Sequence, residues 1–266
     1  MQSARGTRSV PPVVLVHGSR TSRTMWRAQV AALGRAGVET LAVDLPGHGT
    51  RRGEPFTLDG AVDAVVRGID EVGGSAVVVG LSLGGYVGIE VRARHPERVL
   101  ALVAASCCTL PRTPLRRAWL VAARRIERMR DGGAALNQAL VDRTLSGPAA
   151  TDLAAGGFAL DVMSAILAEV GRCDPLTALA SSGSPVWVVN GRWDHFRLAE
   201  RAYVAAAARG GAPARLVVLP GARHLVSLDA PVAFTRVVLA AVDDVASSGE
   251  RHGSSAAGAV AVADGR

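Results

Sequence analysis

The sequence has 266 residues, of which 49% are hydrophobic and 4% are aromatic, and its formal net charge is +7. This length and apolar content are enough for one α/β domain with an insertion, so two full domains are not required. All thirty basic residues are arginine, they are scattered along the chain, and aromatic side chains for base stacking are few. We therefore expect a solvated basic surface and no nucleic-acid partner.

In chain order, apolar runs that predict buried strands alternate with stretches that have the apolar spacing of helices. The predicted strands cover residues 13–18, 39–44, 75–81, 99–105, 185–191 and 215–219. The predicted helices cover residues 26–33, 58–72, 86–94, 198–208 and 231–245. This alternation implies right-handed crossovers, so we expect an α/β fold with a mostly parallel sheet of about six strands and helices on both faces.

The alternation stops between the fourth and the fifth predicted strand. Residues 107–184 are helical in character, rich in arginine, and contain no convincing strand. We therefore expect a core formed by residues 10–106 and 185–246, with a helical cap insertion at 107–184. Residues 1–9 are expected to be a disordered N-terminus, and residues 247–266, rich in Gly, Ser and Ala, a disordered tail.

The cysteines and the N-terminal segment bear on the cellular compartment. Cys107, Cys108 and Cys173 form an odd set with two adjacent members, which is not a disulfide framework. The first residues lack the apolar stretch of a signal peptide, and no apolar run is long enough to cross a bilayer. These features favour a cytoplasmic protein without integral membrane association.

The motif Gly-Leu-Ser-Leu-Gly, residues 80–84, follows the third predicted strand and precedes a helix. At such a turn Ser82 takes a strained backbone conformation, and Gly80 and Gly84 let the strand and the helix approach without Cβ clashes. The hydroxyl is then lifted to the tip of the sheet, where the helix N-terminus offers free N–H groups and partial positive charge. Ser82 is therefore the candidate nucleophile.

A serine hydroxyl needs a base to take its proton and an acid to orient that base. Asp194 follows the fifth predicted strand and His224 the sixth, so both emerge with Ser82 at the carboxyl edge of the sheet. The chain order Ser82, Asp194, His224 is the order expected for this turn. Three other carboxylates compete for the role of the acid: Asp161, Asp174 and Asp229. The first two lie in or near the insertion, and the third lies on the helix side of His224.

With these residues the chain resembles the α/β-hydrolase superfamily, of the serine esterase and lipase type with a helical cap, over residues 10–245. The motifs that carry the resemblance are His17-Gly18, Asp44-Leu45-Pro46-Gly47-His48-Gly49, Gly80-Leu81-Ser82-Leu83-Gly84, Gly191-Arg192-Trp193-Asp194 and Gly221-Ala222-Arg223-His224. The resemblance implies that the backbone N–H groups of Ser19 and Leu83 form an oxyanion hole and that the insertion roofs the site. The sequence departs from the family in lacking the first two antiparallel strands of larger members and in having Arg223 where glycine is common.

The triad predicts a serine hydrolase that cleaves a carboxylic ester or a related acyl compound through an acyl-enzyme, with a small-molecule acyl substrate, no metal and no organic cofactor. The same triad serves thioesterases, carrier-protein ester hydrolases, C–C hydrolases and cofactor-free peroxidase-like enzymes, and a few relatives are non-catalytic ligand receptors; fold and triad do not separate these. A serine at the turn argues against the family's epoxide hydrolases and haloalkane dehalogenases, which use a carboxylate there. His17 and His48 are interpreted as structural, and His195 as an ordinary loop residue that points elsewhere.

One stretch of the insertion predicts a strongly basic amphipathic helix. Its apolar residues recur every three or four positions and are Leu115, Trp119, Ala122, Ile126 and Met129. Its arginines occupy the other faces and are Arg116, Arg117, Arg124, Arg125, Arg128 and Arg130. The simplest interpretation is a cap helix that lays its apolar face over the pocket. The alternatives are docking of an acidic carrier protein, recognition of an anionic substrate group, and peripheral membrane contact.

Overall fold

The computed structural model describes residues 10–145 and 147–260, and within them six strands form one sheet. The strands are β1 Val13–Val16, β2 Thr40–Val43, β3 Ala76–Leu81, β4 Val99–Ala105, β5 Val186–Gly191 and β6 Ala214–Leu219. Their order across the sheet is β2-β1-β3-β4-β5-β6, and every neighbouring pair is parallel. The predicted α/β class and parallel six-stranded sheet are confirmed.

The helices of the described residues occupy both faces of this sheet. They are α1 Arg27–Arg35, α2 Leu58–Glu71, α3 Leu83–Arg94, α4 Pro114–Glu127, α5 Ala134–Thr144, α6 Gly147–Ala154, α7 Met163–Val170, α8 Pro175–Ala180, α9 Glu200–Arg209, α10 Val226–Asp229 and α11 Pro231–Val260. Short 3-10 helices cover Arg23–Trp26 and Gly49–Arg51. The α2, α3 and α9 helices pack on one face, and α1 and α11 pack on the other.

The strands β1, β3 and β4 are apolar throughout because both faces of the sheet are covered there. In β1, Val14 and Val16 belong to the hydrophobic cluster formed with α2, whereas Val13 and Leu15 belong to the cluster formed with α1 and α11. All four side chains are fully buried. Successive residues of a strand point to opposite faces, so an uninterrupted apolar run is what this position in the sheet requires.

Five helices, α4 to α8, connect β4 to β5 and correspond to the predicted insertion. No strand lies within its described residues. The last of these helices, α8, packs against α3 and α9 and so belongs to the layer of helices on the sheet. The buried Arg92 guanidinium helps to hold it there, donating to the carbonyl oxygens of Leu179 at 2.9 Å and Ser184 at 2.7 Å.

The C-terminal region departs from expectation. The helix predicted over residues 231–245 is present, but α11 continues to Val260 where a disordered tail is predicted for residues 247–266. The chain has no proline after Pro231, so no proline removes a backbone N–H group from the continued helix. Residues 1–9, predicted to be a disordered N-terminus, and residues 261–266 lie outside the described part. Within that part, no helix combines the length and the apolar character needed to traverse a lipid bilayer.

Candidate active site

Ser82 stands alone between β3 and α3, at the turn that the sequence predicts. Its backbone has φ 55° and ψ −110°, and a positive φ is uncommon for a residue other than glycine. The turn is held by hydrogen bonds on both sides of the serine. The Ser82 N–H donates to the Ala105 carbonyl at 2.8 Å, and the Ser82 carbonyl accepts from the Gly85 N–H at 3.0 Å. These hydrogen bonds therefore hold the Ser82 backbone in its strained conformation.

The glycines on either side of Ser82 are required by close packing of main chains. A Cβ atom at Gly80 would lie 2.1 Å from the Gly84 carbonyl oxygen, within the turn itself. A Cβ atom at Gly84 would lie 2.2 Å from the carbonyl oxygen of Val16, at the end of the neighbouring strand β1. Both distances are far below van der Waals contact, so glycine alone lets α3 start this close to β1 and β3.

The three predicted triad residues meet at the carboxyl ends of β3, β5 and β6. The His224 Nε2 atom lies 3.1 Å from Ser82 Oγ, and its Nδ1 atom lies 3.0 Å from Asp194 Oδ1. The same carboxylate oxygen accepts a hydrogen bond from the Phe196 N–H at 2.9 Å. Burial raises the pKa of Asp194, but the hydrogen bond and the charge interaction with His224 and the bond from Phe196 outweigh it, so the net pKa is lowered. Asp194 is therefore held as a carboxylate facing the imidazole.

The competing carboxylates are engaged elsewhere. Asp229 binds the Arg223 guanidinium at 2.8 Å, Asp161 pairs with Arg52 at 2.7 Å, and Asp174 caps the N-terminus of α8 by accepting from the Thr177 N–H. None of the three forms a hydrogen bond with His224 among the described residues. Asp194 is the carboxylate that the fold brings to the imidazole.

Two backbone N–H groups beside Ser82 have no acceptor among the described residues. They belong to Ser19, in the loop after β1, and Leu83, the first residue of α3. The N–H groups in the first turn of a helix have no partner within the helix and carry partial positive charge. Ser19 lines the cavity that contains Ser82, and Leu83 directly follows Ser82 at the start of α3.

His17 and His48 connect the loop after β1 to the turn after β2. The His17 Nε2 atom accepts from the Leu45 N–H at 3.0 Å, and the His48 Nε2 atom accepts from the Arg20 N–H at 3.3 Å. Burial, reinforced by the neighbouring His48, lowers the pKa of His17 to about 3, and burial also lowers the pKa of His48. Both imidazoles are thus neutral acceptors in this network. The structural interpretation of these two histidines agrees with these contacts.

The prediction that His195 points elsewhere is wrong. Its ring centroid lies 5.5 Å from that of His224, and the Phe196 centroid lies 4.6 Å from His224. Burial and the neighbouring His224 lower the pKa of His195. The carboxylate of Asp194 accepts from the backbone of Phe196, so the loop folds tightly and brings both rings against the imidazole. Sequence patterns carry no signal for this packing, because it depends on a loop conformation.

A cavity of about 90 Å³ opens on Ser82 and His224. The insertion supplies one side of it, through residues of α5, α6 and the segment that follows: Asn137, Leu140, Val141, Thr144, Leu153 and Phe158. Arg223, which replaces the common glycine, ties the histidine loop to this side because its guanidinium donates to the Thr144 carbonyl at 2.6 Å. Residues of the insertion therefore line the cavity that contains Ser82. Within the described residues, no three His, Cys, Asp or Glu side chains are grouped as a metal site.

The sequence profile of the alpha/beta hydrolase family matches residues 13–237. Pimeloyl-[acyl-carrier protein] methyl ester esterase from Neisseria meningitidis serogroup C is 38% identical over 107 residues, which make up 38% of this chain and 40% of that protein. Bifunctional epoxide hydrolase 2 from Sus scrofa is 33% identical over 111 residues, or 40% of this chain and 20% of that protein. The chain thus spans less than half the length of these curated relatives.

Solved structures extend the similarity to nearly the whole chain. A hydrolase from Pseudomonas aeruginosa PA01 has a TM-score of 0.70 at 29% identity, covering 87% of this chain and 89% of that one. A thermophilic esterase from Thermogutta terrifontis has a TM-score of 0.72 at 24% identity, covering 88% and 90%, which is a similarity of fold alone. With a parallel sheet, a strained serine turn and a family profile that matches residues 13–237, the chain belongs to the alpha/beta hydrolase family.

Proposed function

We propose that the protein is a serine hydrolase that cleaves a carboxylic ester or a related acyl compound through an acyl-enzyme. The observation that carries this proposal is the bridge made by His224, 3.1 Å from Ser82 Oγ on one side and 3.0 Å from Asp194 Oδ1 on the other. A serine hydroxyl at neutral pH is a weak nucleophile until a positioned base takes its proton. This arrangement supplies the base and the group that orients it.

In the proposed first step, Ser82 Oγ attacks the ester carbonyl carbon while His224 Nε2 accepts the hydroxyl proton. Asp194 accepts a hydrogen bond from His224 Nδ1–H, which fixes the tautomer and stabilises the imidazolium that forms. The oxyanion is received by the backbone N–H groups of Ser19 and Leu83. Donors aimed at the position of developing charge commonly lower the barrier of such reactions by several kcal/mol, each contributing about 3 kcal/mol.

The second half of the cycle uses the same groups in reverse. The imidazolium of His224 gives its proton to the leaving alkoxide, which departs as an alcohol and leaves the acyl group on Ser82. Water then gives a proton to His224 and attacks the acyl carbon, and Ser82 recovers its proton as the carboxylic acid leaves. Side chains and backbone of this chain carry every step, so no metal or organic cofactor is required.

The relatives are hydrolases, which supports this class for the protein, but they cleave different bonds. One is a methyl ester esterase and another is a bifunctional epoxide hydrolase. The family's epoxide hydrolases use a carboxylate nucleophile at the turn that Ser82 occupies here. A serine there favours acyl transfer over opening of an epoxide. We therefore place this chain with the esterases.

The test is hydrolysis of p-nitrophenyl esters of increasing chain length by the full chain and by Ser82→Ala. We expect hydrolysis by the unchanged protein and a loss of about 10⁴-fold or more in Ser82→Ala. The control is Ser181→Ala, which removes an exposed hydroxyl bonded only to the Ala178 carbonyl and leaves the rate unchanged. A Ser82→Ala protein that retains most of its activity would contradict the proposal.

Carrier-protein esters are a second candidate substrate class, favoured by the surface of α4 and the turn after it. Five exposed arginines there have no carboxylate partner among the described residues: Arg117, Arg124, Arg125, Arg128 and Arg130. A patch of one sign steers association with a partner of the opposite sign. The relatives that act on a pimeloyl-[acyl-carrier protein] methyl ester are consistent with docking of an acidic carrier protein on this patch.

Charge reversal separates the two substrate classes. Arg124, Arg125 and Arg128 are exposed and lie outside the cavity, so changing all three to Glu leaves the triad intact. If a carrier docks on this patch, the triple variant loses at least about tenfold in kcat/KM on a carrier-bound ester and keeps its rate on a neutral p-nitrophenyl ester. Equal effects on both substrates would remove the docking hypothesis.

We also propose a cytoplasmic location. The proposal is supported by the three cysteines, an odd number of which two are adjacent. Cys107, Cys108 and Cys173 are all buried free thiols. Thiols persist where the compartment is reducing.

A further inference from the structure

Arg20 places a positive charge in the wall of the proposed active site. It follows Ser19 in the loop after β1 and lines the cavity that contains Ser82 and His224. It also lines a second cavity of about 50 Å³, whose other walls all come from the insertion. Arg20 therefore lies where the loop after β1 meets the insertion.

This guanidinium has no partner among the residues that the structure describes. Its side chain makes no hydrogen bond and no ion pair with any described residue, in contrast to the buried Arg92, whose N–H groups reach several carbonyl oxygens. Burial lowers the pKa of Arg20, and no nearby carboxylate offsets this effect. An arginine that is partly removed from water and left unpaired lacks the compensation that buried charges ordinarily have.

Asn137 of α5 is a second polar side chain that lines these two cavities. It is 6% exposed, it lines both cavities with Arg20, and its side-chain amide forms no hydrogen bond with a described residue. Buried amides are hydrogen-bonded in most proteins, so this one is free to bond to a group that enters the cavity. The remaining walls around the two groups are largely aliphatic, as at Leu140 and Val141.

The position of Arg20 is fixed by its backbone. Its φ is 64°, its N–H donates to His48 Nε2 at 3.3 Å, and its carbonyl accepts from the Ala159 N–H at 3.0 Å. The first bond ties it to the turn after β2 and the second to the insertion. A strained residue held from two sides is common where a side chain must be presented to a ligand.

From these contacts we infer that Arg20 and Asn137 bind a carboxylate of the substrate, so that the enzyme selects esters that carry a negative charge near the ester carbonyl. The inference rests on the proposed function and names its substrate class. The guanidinium presents N–H donors in a planar fork that matches a carboxylate, and the Asn137 amide adds a further donor. The aliphatic walls then hold the short chain between the ester and the carboxylate.

Matched pairs of esters test this selectivity and locate the charge. For the acyl side, monomethyl succinate is compared with methyl butyrate. For the alcohol side, the acetate ester of glycolic acid is compared with ethyl acetate. We expect kcat/KM to be at least about 30-fold higher for the anionic member of one pair, because a hydrogen bond to a charged group typically strengthens binding by about this factor. The pair that shows it identifies the side on which the carboxylate lies.

Four variants connect the selectivity to its residues. Arg20→Gln is expected to lose the preference for the anion, measured as the ratio of kcat/KM between the two members of a pair, and Arg20→Lys to retain part of it. Asn137→Asp places a carboxylate beside Arg20 and is expected to abolish the preference by pairing with it. Arg128→Gln, an exposed arginine outside both cavities, is the control for general attraction by a basic protein.

A binding measurement keeps this inference separate from the catalytic one. Titration calorimetry compares succinamate, a stable amide that carries a carboxylate, with butyramide, its neutral counterpart, and needs no turnover. We expect succinamate to bind more tightly, and Arg20→Gln to remove the difference. Equal binding of the two amides together with no preference in either ester pair, or equal losses in Arg20→Gln on both members of each ester pair, would overturn the inference even if Ser82 proves essential. Loss of ester hydrolysis with selective succinamate binding would instead contradict the proposed function.

Discussion

At the scale of single residues, backbone strain is concentrated around the site. Three residues other than glycine have a positive φ among those that the structure describes, and they are Arg20, Ser82 and Ser106. Ser82 is the proposed nucleophile, Arg20 lines its cavity, and the Ser106 hydroxyl helps to lower the pKa of Asp194 although it makes no hydrogen bond of standard geometry. Such strain costs about 1–3 kcal/mol per residue and is maintained only when neighbouring contacts over-determine the conformation.

Asp194→Asn tests the role of the carboxylate that faces the imidazole. An amide that donates toward Nδ1 favours the wrong tautomer of His224, so we expect kcat to fall by about 10³–10⁴-fold with little change in melting temperature. The rate on a p-nitrophenyl ester and a thermal scan measure both quantities. Asp174→Asn is the matched control, because it changes a carboxylate that caps α8 and lies outside the site. A loss of less than tenfold in Asp194→Asn would be incompatible with the proposed triad.

His17 makes the stability of the fold depend on pH. Its pKa is lowered from 6.5 to about 3 in the folded state, mainly by burial, and protonation of Nε2 would break its bond from the Leu45 N–H. Below about pH 6.5, His17 binds a proton in the unfolded chain but stays neutral in the folded chain. The free energy of unfolding therefore falls as the pH decreases, by up to about 1.4 kcal/mol per pH unit. This loss continues until the pH approaches the folded pKa.

Urea unfolding at about pH 7 and about pH 5 measures this slope. His17→Asn keeps a polar side chain without the titrating ring, so it should be less stable at neutral pH but lose less stability on acidification. The lowered pKa of His48 acts in the same direction and remains in the variant. A variant with the same pH slope as the unchanged chain would show that His17 is not the titrating group.

At the scale of elements, the geometry of the serine turn depends on how closely α3 approaches the sheet. The approach is set at Gly84, where any Cβ atom would overlap the Val16 carbonyl at the end of β1. Because the Leu83 N–H lies in the same first turn of α3, a shift of the helix would also move this proposed oxyanion donor. The packing of α3 against β1 therefore also determines where the proposed catalytic groups lie.

A comparison of Gly84→Ala with Gly34→Ala separates the effect of close packing on stability from the effect of helix propensity. Overpacking at Gly84 should destabilise the fold by about 3 kcal/mol or more and reduce activity in whatever fraction folds. Gly34 lies within α1 with open space around it, so its replacement by alanine should stabilise by up to about 1 kcal/mol. Chemical denaturation and ester hydrolysis of both variants measure the contrast. Equal stabilities of the two variants would contradict the packing argument.

At the scale of the whole molecule, the sequence identifies the sheet and the three residues that meet at its edge. Strands buried on both faces leave an uninterrupted apolar signal, and residues that follow parallel strands must emerge at one edge, so Ser82, Asp194 and His224 are predictable together. Their catalytic roles, and those of the Ser19 and Leu83 N–H groups, stay predictions that the geometry supports.

Other features depend on contacts that a periodic pattern does not contain. The rings of His195 and Phe196 reach the imidazole because of a loop conformation. Arg20 and Asn137 line the same two cavities because the insertion packs against the loop after β1, and the rotation of α5 decides which of its residues face these cavities. The continuation of α11 to Val260 contradicts an interpretation based on composition alone. Local propensity is a weak guide wherever tertiary contacts decide the outcome.

The measurement that tests the central claim most directly is labelling of the full chain with a fluorophosphonate, followed by intact-mass and peptide mapping. Such probes react with a serine whose hydroxyl is activated by a base, and not with an ordinary surface serine. We predict one covalent adduct, located on Ser82, and no adduct in Ser82→Ala or in a folded His224→Gln protein. A folded, unchanged chain that takes up no label, or takes it up at another serine, would contradict the assignment of Ser82 as an activated nucleophile.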